Sequence, residues 1–170
     1  MKKLTILFLA ILLTGCAGYA PTKPEGYTGQ ISFIKDSKKY HDTGKADMFV
    51  LEKINDKEIF HSRAFARQES YGKGNYLHSI DLEHEVPSEK AQFTLVGRTV
   101  YAMPIRAIAG KVYEIQTVVE FMPKPNHKYV VKGELSETNS VIWIESITEP
   151  GVIIGKHEVK GSTSLGLLSK

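Results

Sequence analysis

The 170-residue chain has no second cysteine to pair with Cys16, so no internal disulfide is available and the fold must rest on packing and hydrogen bonds. It also lacks an apolar run of membrane-spanning length. The longest, Leu4 to Leu13, is interrupted only by Thr5; as a helix it would reach about 15 Å, against a bilayer core of about 30 Å. Neither sign of charge dominates, with 22 Lys and Arg against 19 Asp and Glu, which leaves no electrostatic footprint for nucleic acid. There is no serine elbow, cysteine nucleophile, phosphate loop, dinucleotide fingerprint or metal-ligand spacing. Catalysis, a cofactor and a metal are therefore not expected. Sustained 3.6-residue periodicity is absent beyond the N-terminal segment, which excludes a helical bundle from the expectation.

What the N-terminus does hold is the three-part pattern of a secretory signal: Lys2 and Lys3, the apolar run, then small residues. Its last four residues, Leu13-Thr14-Gly15-Cys16, resemble the bacterial lipoprotein box. That resemblance implies cleavage before Cys16, a diacylglycerol on its sulfur and an acylated new amino terminus, a tether made of lipid and not a span. The alternative is plain secretion with Cys16 near the cut by chance. In that family an Asp after the cysteine holds the protein in the inner membrane; Ala17 implies the outer membrane, facing the periplasm, in a Gram-negative source. Removing residues 1–15 takes away two lysines and leaves 155 residues with 20 basic and 19 acidic side chains, or +1. That length is one ordinary domain.

The expected organisation is a signal peptide (1–15), the lipidated Cys16 with a flexible linker (16–29), a β domain (30–157) and a C-terminal tail (158–170). Gly18, Pro21, Pro24, Gly26 and Gly29 give the linker its composition. Fully extended, residues 17–29 would reach roughly 40 Å and let the domain swivel.

Short strands then follow one another: Ile31 to Ile34, Ala46 to Leu51, Ile59 to Ala66, and His78 to Val86 with period two. Gln92 to Val96 and Thr99 to Ile105 read as two strands hinged at Gly97, with Pro104 at a strand end. Tyr113 to Phe121 and Tyr129 to Leu135 alternate cleanly on either side of Pro123-Lys124-Pro125-Asn126 and would pair antiparallel. Val141 to Ile147 is apolar on both faces and returns through Glu149-Pro150-Gly151 into Val152 to Ile154 as a hairpin. About eight or nine such strands predict an all-β antiparallel sandwich, preferred over a barrel. Tyr129, opening a strand after the Pro-rich turn, sits where immunoglobulin-like domains place a corner tyrosine; a core tyrosine of another β fold is the alternative.

Candidate chemistry is sparse. His78 and His84 share a face but lie about 20 Å apart, too far to share a metal. Asp81, Glu83 and Glu85 alternate at about 7 Å, a spacing that would suit two acids, though a solvated strand face opposite lysines is the plainer reading. The segment Arg67 to Tyr76 has the make-up of a recognition loop, with Arg67, Ser70, Tyr71, Gly72, Gly74 and Tyr76 as candidate contacts; glycines that merely turn a connection are the plainer reading. Ser70, Gly72, Gly74 and Tyr76 also resemble the Ser-Gly-Ser-Gly-x-x-Tyr loop of membrane-bound lysozyme inhibitors, with Tyr71 and Lys73 intervening. Val100-Tyr101-Ala102-Met103-Pro104-Ile105 and the later Tyr-x-Val strand resemble uncharacterised bacterial β-sandwich lipoproteins, a resemblance that implies no activity. The resulting expectation is a non-enzymatic, membrane-anchored envelope lipoprotein whose domain binds another envelope protein or a cell-wall component. Loop-mediated inhibition of a hydrolase such as lysozyme is the alternative, and a metal- or carboxylate-dependent hydrolase a third.

Overall fold

The computed structural model describes residues 18–169. The signal-like segment, Cys16 and Ala17 lie outside the described residues. The first half of the chain runs β1 (Ile31–Lys35), β2 (Ser37–Asp42), β3 (Lys45–Ile54), a two-residue β4 (Lys57–Glu58) and helix α1 (Ser62–Ser70). It continues with β5 (Glu83–Pro87), β6 (Ala91–Tyr101), a short helix α2 (Pro104–Ala109) and β7 (Glu114–Phe121). Strands β8 (Lys128–Glu134), β9 (Asn139–Ser146) and β10 (Ile153–Lys160) precede a 3-10 turn at Leu167–Ser169. One sheet has the order β10-β9-β8-β1-β5; the other is β2-β3-β6-β7, with β4 beside β3. The all-β sandwich is thus the observed architecture. Within it β1 and β8 run parallel, Phe33 facing Lys128 in the register, while the other neighbours are antiparallel.

Strand alternation builds two apolar layers instead of one. Odd positions of β3 and β6, such as Phe49, Leu51, Phe93 and Leu95, point between the sheets and meet Ile34, Val131, Ile142 and Ile144. Even positions, Ala46, Met48, Val50 and Val96, point outward and are covered by Ala66 of α1 and by Leu77. The β2-β3-β6-β7 sheet is therefore buried on both faces over part of its width, and α1 forms a third layer on its outside. No helix among the described residues is long and apolar enough to cross a membrane.

Several expectations are corrected. The stretch Ile59 to Ala66 is not a strand: Lys57–Glu58 pairs with β3 after an Asn55-Asp56 turn with φ of 48° and 63°, Ile59 makes a single bridge to Ala20, and helix α1 begins at Ser62. Of His78 to Val86, only the part from Glu83 is laddered. Gly97 is not a hinge, since β6 runs through it unbroken; the Phe49 ring lies 2.9 Å from where a Cβ would stand, so the glycine admits the ring. Pro104 ends that strand by opening α2 at its first turn. Strands β7 and β8 do not pair with each other; they lie in opposite sheets, joined by the Pro-rich turn. The β9–β10 hairpin forms as expected, but β10 extends to Lys160, and residues 163–165 lie along the start of β7 through Thr163 O with Glu114 N and Leu165 N with Val112 O.

Tyr129 closes the corner. Its ring is buried and its hydroxyl accepts the Lys124 backbone N–H at 3.0 Å, which satisfies a donor in the turn that moves the chain from one sheet to the other. Tyr129→Phe should therefore cost about 1 kcal/mol, one hydrogen bond with packing retained; urea unfolding would measure it, and an unchanged midpoint would contradict the role.

Residues read as linker are docked. The Tyr19 ring packs edge-on to Phe60 at 5.2 Å, Ala20 N bonds Glu58 O at 2.8 Å, Lys23 pairs with Glu85, and the Tyr27 hydroxyl bonds Gln30 O and Glu89. The three alternating carboxylates all find lysines: Asp81 with Lys38, Glu83 with Lys128 at 3.7 Å, and Glu85 with Lys23.

Candidate functional site

Because α1 covers the outer face mainly over β3 and the adjoining Val96 of β6, the outer face of β6 beyond it, at Arg98 and Val100, and the start of β7 stay open. Helix α2 and the segment that leads into it close one end. The result is a cleft of about 980 Å³. One wall is a single stripe of α1, Arg63, Ala66, Arg67 and Ser70, at the i, i+3, i+4, i+7 spacing that puts side chains on one helix face. Val96, Arg98 and Val100 of β6 form the floor, and Glu114 and Gln116 of β7 its far side. Met103, Pro104 and Ile105 form the end wall.

The helix is placed from its N-terminus. The His61 side chain accepts the Ala64 N–H through Nδ1 at 3.2 Å, a cap for an orphan donor. The buried Asp36 carboxylate accepts the Ser62 N–H at 2.8 Å and the Leu51 N–H at 2.9 Å, and lies 3.2 Å from His84 Nε2. Burial, reinforced by the nearby Arg63 charge, pushes His61 down to about 4 from its ordinary 6.5, so it is the neutral ring that caps. At the other end Ser70 Oγ accepts the His78 N–H at 2.9 Å.

Charge in the cleft is mostly internally matched. Arg63 pairs with Glu52 and lies 3.9 Å from Glu114; Arg98 donates to Glu114 at 2.6 Å and to the Ser169 carbonyl at 3.2 Å. Both carboxylates facing the cleft are thus held by guanidinium groups. Arg67 is exposed and enters no ion pair among the described residues, and Arg63 Nε is buried without an acceptor. On the rim, Arg106 donates to Asp42 at 2.8 Å and to Asn75 at 2.7 Å, and its guanidinium holds the Asp42 carboxyl below its usual range.

The predicted loop residues divide. Arg67 and Ser70 are helical, not loop; with Tyr71, Gly72 and Gly74 they line the cleft. Tyr71 is 85% exposed at its lip. Gly72 and Gly74 both have φ of +73°, the left-handed turn that side chains disfavour. Tyr76 faces the other way, packed on His78 at 4.8 Å. Cys16 lies outside the described residues. Sequence reasoning missed Arg63, Arg98 and Glu114; the stripe Arg63, Ala66, Arg67, Ser70 was the available signal, hidden by reading a strand there. No group of three or more His, Cys, Asp or Glu among the described residues is placed to hold a metal ion. Set against protein-family models, curated proteins and solved structures, the chain gives no match.

Proposed function

We propose that this chain is a non-enzymatic, lipid-anchored envelope protein that binds its partner or ligand through the cleft between α1 and α2. The observation that carries the binding reading is the convergence of Arg67, Ser70, Tyr71, Gly72 and Gly74 on one wall of a large cleft. Against hydrolysis stands the engagement of Glu52 and Glu114, the two carboxylates that line the cleft, in ion pairs with Arg63 and Arg98. The anchor rests on Leu13 to Cys16 and on the lipid-box resemblance, and Ala17 directs the reading to the outer membrane, facing the periplasm, in a Gram-negative host. The partner class remains an envelope protein or a cell-wall component.

The experiment is crosslinking of the protein in intact cells with mass-spectrometric identification of its neighbours, alongside metabolic labelling with radioactive palmitate. Wild type should take up label and sit in the membrane fraction; Cys16→Ala should lose both and the crosslinks with them. Labelling that survives in Cys16→Ala removes the anchor from this reading, and absence of reproducible neighbours from the correctly localised protein removes the partner. The exposure of Tyr71 favours a second reading, insertion of residues 71–76 into a hydrolase cleft. Inhibition of lysozyme by wild type and its loss in Tyr71→Ala would select that reading.

A further inference from the structure

Arginine is scarce in this chain, four residues against 18 lysines. Yet the cleft takes Arg63, Arg67 and Arg98 and, among the described residues, no lysine. The fourth, Arg106, lies on α2 with its guanidinium 5.7 Å over the ring of Tyr101, itself part of the cleft wall. A guanidinium offers a planar fork of donors that matches a carboxylate or phosphate, whereas an ammonium is a strongly hydrated point charge. Concentrating the rarer cation here is a signature of oxyanion recognition. Two of the three guanidinium groups are committed to Glu52 and Glu114. Arg67, one turn along α1 from Arg63, is not, and Arg63 keeps its buried Nε unmet.

The floor defines the rest of the ligand. Val100 of the floor with Met103 and Ile105 of the end wall present the apolar surface, over Leu77, Val96 and Val112, which are already buried. Strand β6 is central, and its backbone groups are spent on the ladders to β3 and β7. Of the hydroxyls, Ser70 is spent on His78, Thr99 donates to Asp47 at 2.7 Å and Tyr101 to the Lys111 carbonyl at 3.0 Å, which leaves that of Tyr71 at the exposed lip. A peptide or glycan laid against Val100, Met103 and Ile105 would bury polar groups against side chains that offer them no hydrogen bond. A hydrocarbon chain would lose nothing and gain burial. We infer that the cleft binds an anionic amphiphile, one alkyl or acyl chain lying on the β6 floor with its carboxylate or phosphate on Arg67. This rests on reading the cleft as the binding site and is independent of whether Cys16 is acylated.

The test uses the full chain, in phosphatidylcholine nanodiscs if acylated and in buffer if not, so that failure of the anchor leaves the readout intact. Diazirine-bearing tetradecanoate, tetradecyl phosphate and a tetradecylammonium of the same length are photocrosslinked separately, and adducts are mapped by mass spectrometry. Expected are adducts of at least one anion on the peptides spanning residues 96–105, in about tenfold excess over the ammonium probe, the worth of one charge-assisted hydrogen bond. Adducts from one anion only identify the headgroup. Arg67→Glu, at an exposed position without an ion pair, should abolish the preference. Val100→Trp, filling the floor, should reduce labelling by each anion that forms adducts, and excess butanoate should not compete. Equal labelling by anion and cation, adducts confined to other surfaces, an unchanged preference in Arg67→Glu, or competition by butanoate would each overturn the inference.

Discussion

Replacing Asp36 by Ala should destabilise the protein by about 3–5 kcal/mol, the range found when one member of a buried, charge-assisted network is removed. The side chain is fully buried. It is the acceptor for the Ser62 N–H that opens α1 and for the Leu51 N–H, beside the register shift in β3, and it faces His84 on β5. Alanine would leave two backbone donors and an imidazole buried without their acceptor. For a chain of this length the loss corresponds to a fall in Tm of about 10 °C. Asp36→Asn keeps the shape but turns an amide toward one of the donors, and it should fall between wild type and alanine. Thermal unfolding followed by circular dichroism decides the matter; a loss under about 1 kcal/mol for Asp36→Ala would mean that the network is not what joins the three layers.

The second large effect is acid sensitivity through His61. In the unfolded chain this ring takes up its proton near 6.5, whereas in the fold burial delays protonation to about 4. Between those values the unfolded state binds more protons, so stability is fully present above about pH 6.5 and is lost as pH falls toward 4. The contribution lost approaches about 3 kcal/mol at about 1.4 kcal/mol per pH unit. Asn is an equally good cap whose side chain carries no charge, so His61→Asn should hold α1 in place while removing this dependence. Urea midpoints of the two proteins should be similar at pH 7, with the variant more stable at pH 4. Parallel profiles across that interval would show that the ring is not buried neutral at the head of α1.

The β9–β10 hairpin and the strands flanking the Pro-rich turn were legible in the sequence because each element carries its own punctuation. Gly151 turns at φ of +86°, and Asn126 at +59°. The alternation of Tyr113 to Phe121 is strong enough to survive without context. What alternation cannot say is which sheet a strand joins: β7 pairs with β6 across α2, and β8 takes β1, far back in the chain, as its second neighbour. Helix α1 was hidden for a different reason. Nine residues hold barely two and a half turns, its buried apolar positions are alanines, and the preceding Ile59-Phe60 extends a strand-like pattern into it. Once Ile59 to Ala66 is read as a strand, Arg63 falls in it and Arg67 in the loop that follows, with no relation to each other or to Arg98. The cleft exists only when that helix covers β3 and leaves β6 open, so its position was out of reach while its lip, Tyr71 to Gly74, was not.

The docked segment before β1 has a consequence for geometry at a surface. If Cys16 carries lipid, a contact with the body of the domain comes within three residues of it, at Tyr19 against Phe60, the first among the described residues. Three residues reach at most about 10 Å. The attachment then behaves as a short pivot beside the β4 turn and the head of α1, not as a long leash. Tilt about that point, and little else, would decide how far the open side of the β2-β3-β6-β7 sheet stands from the headgroups.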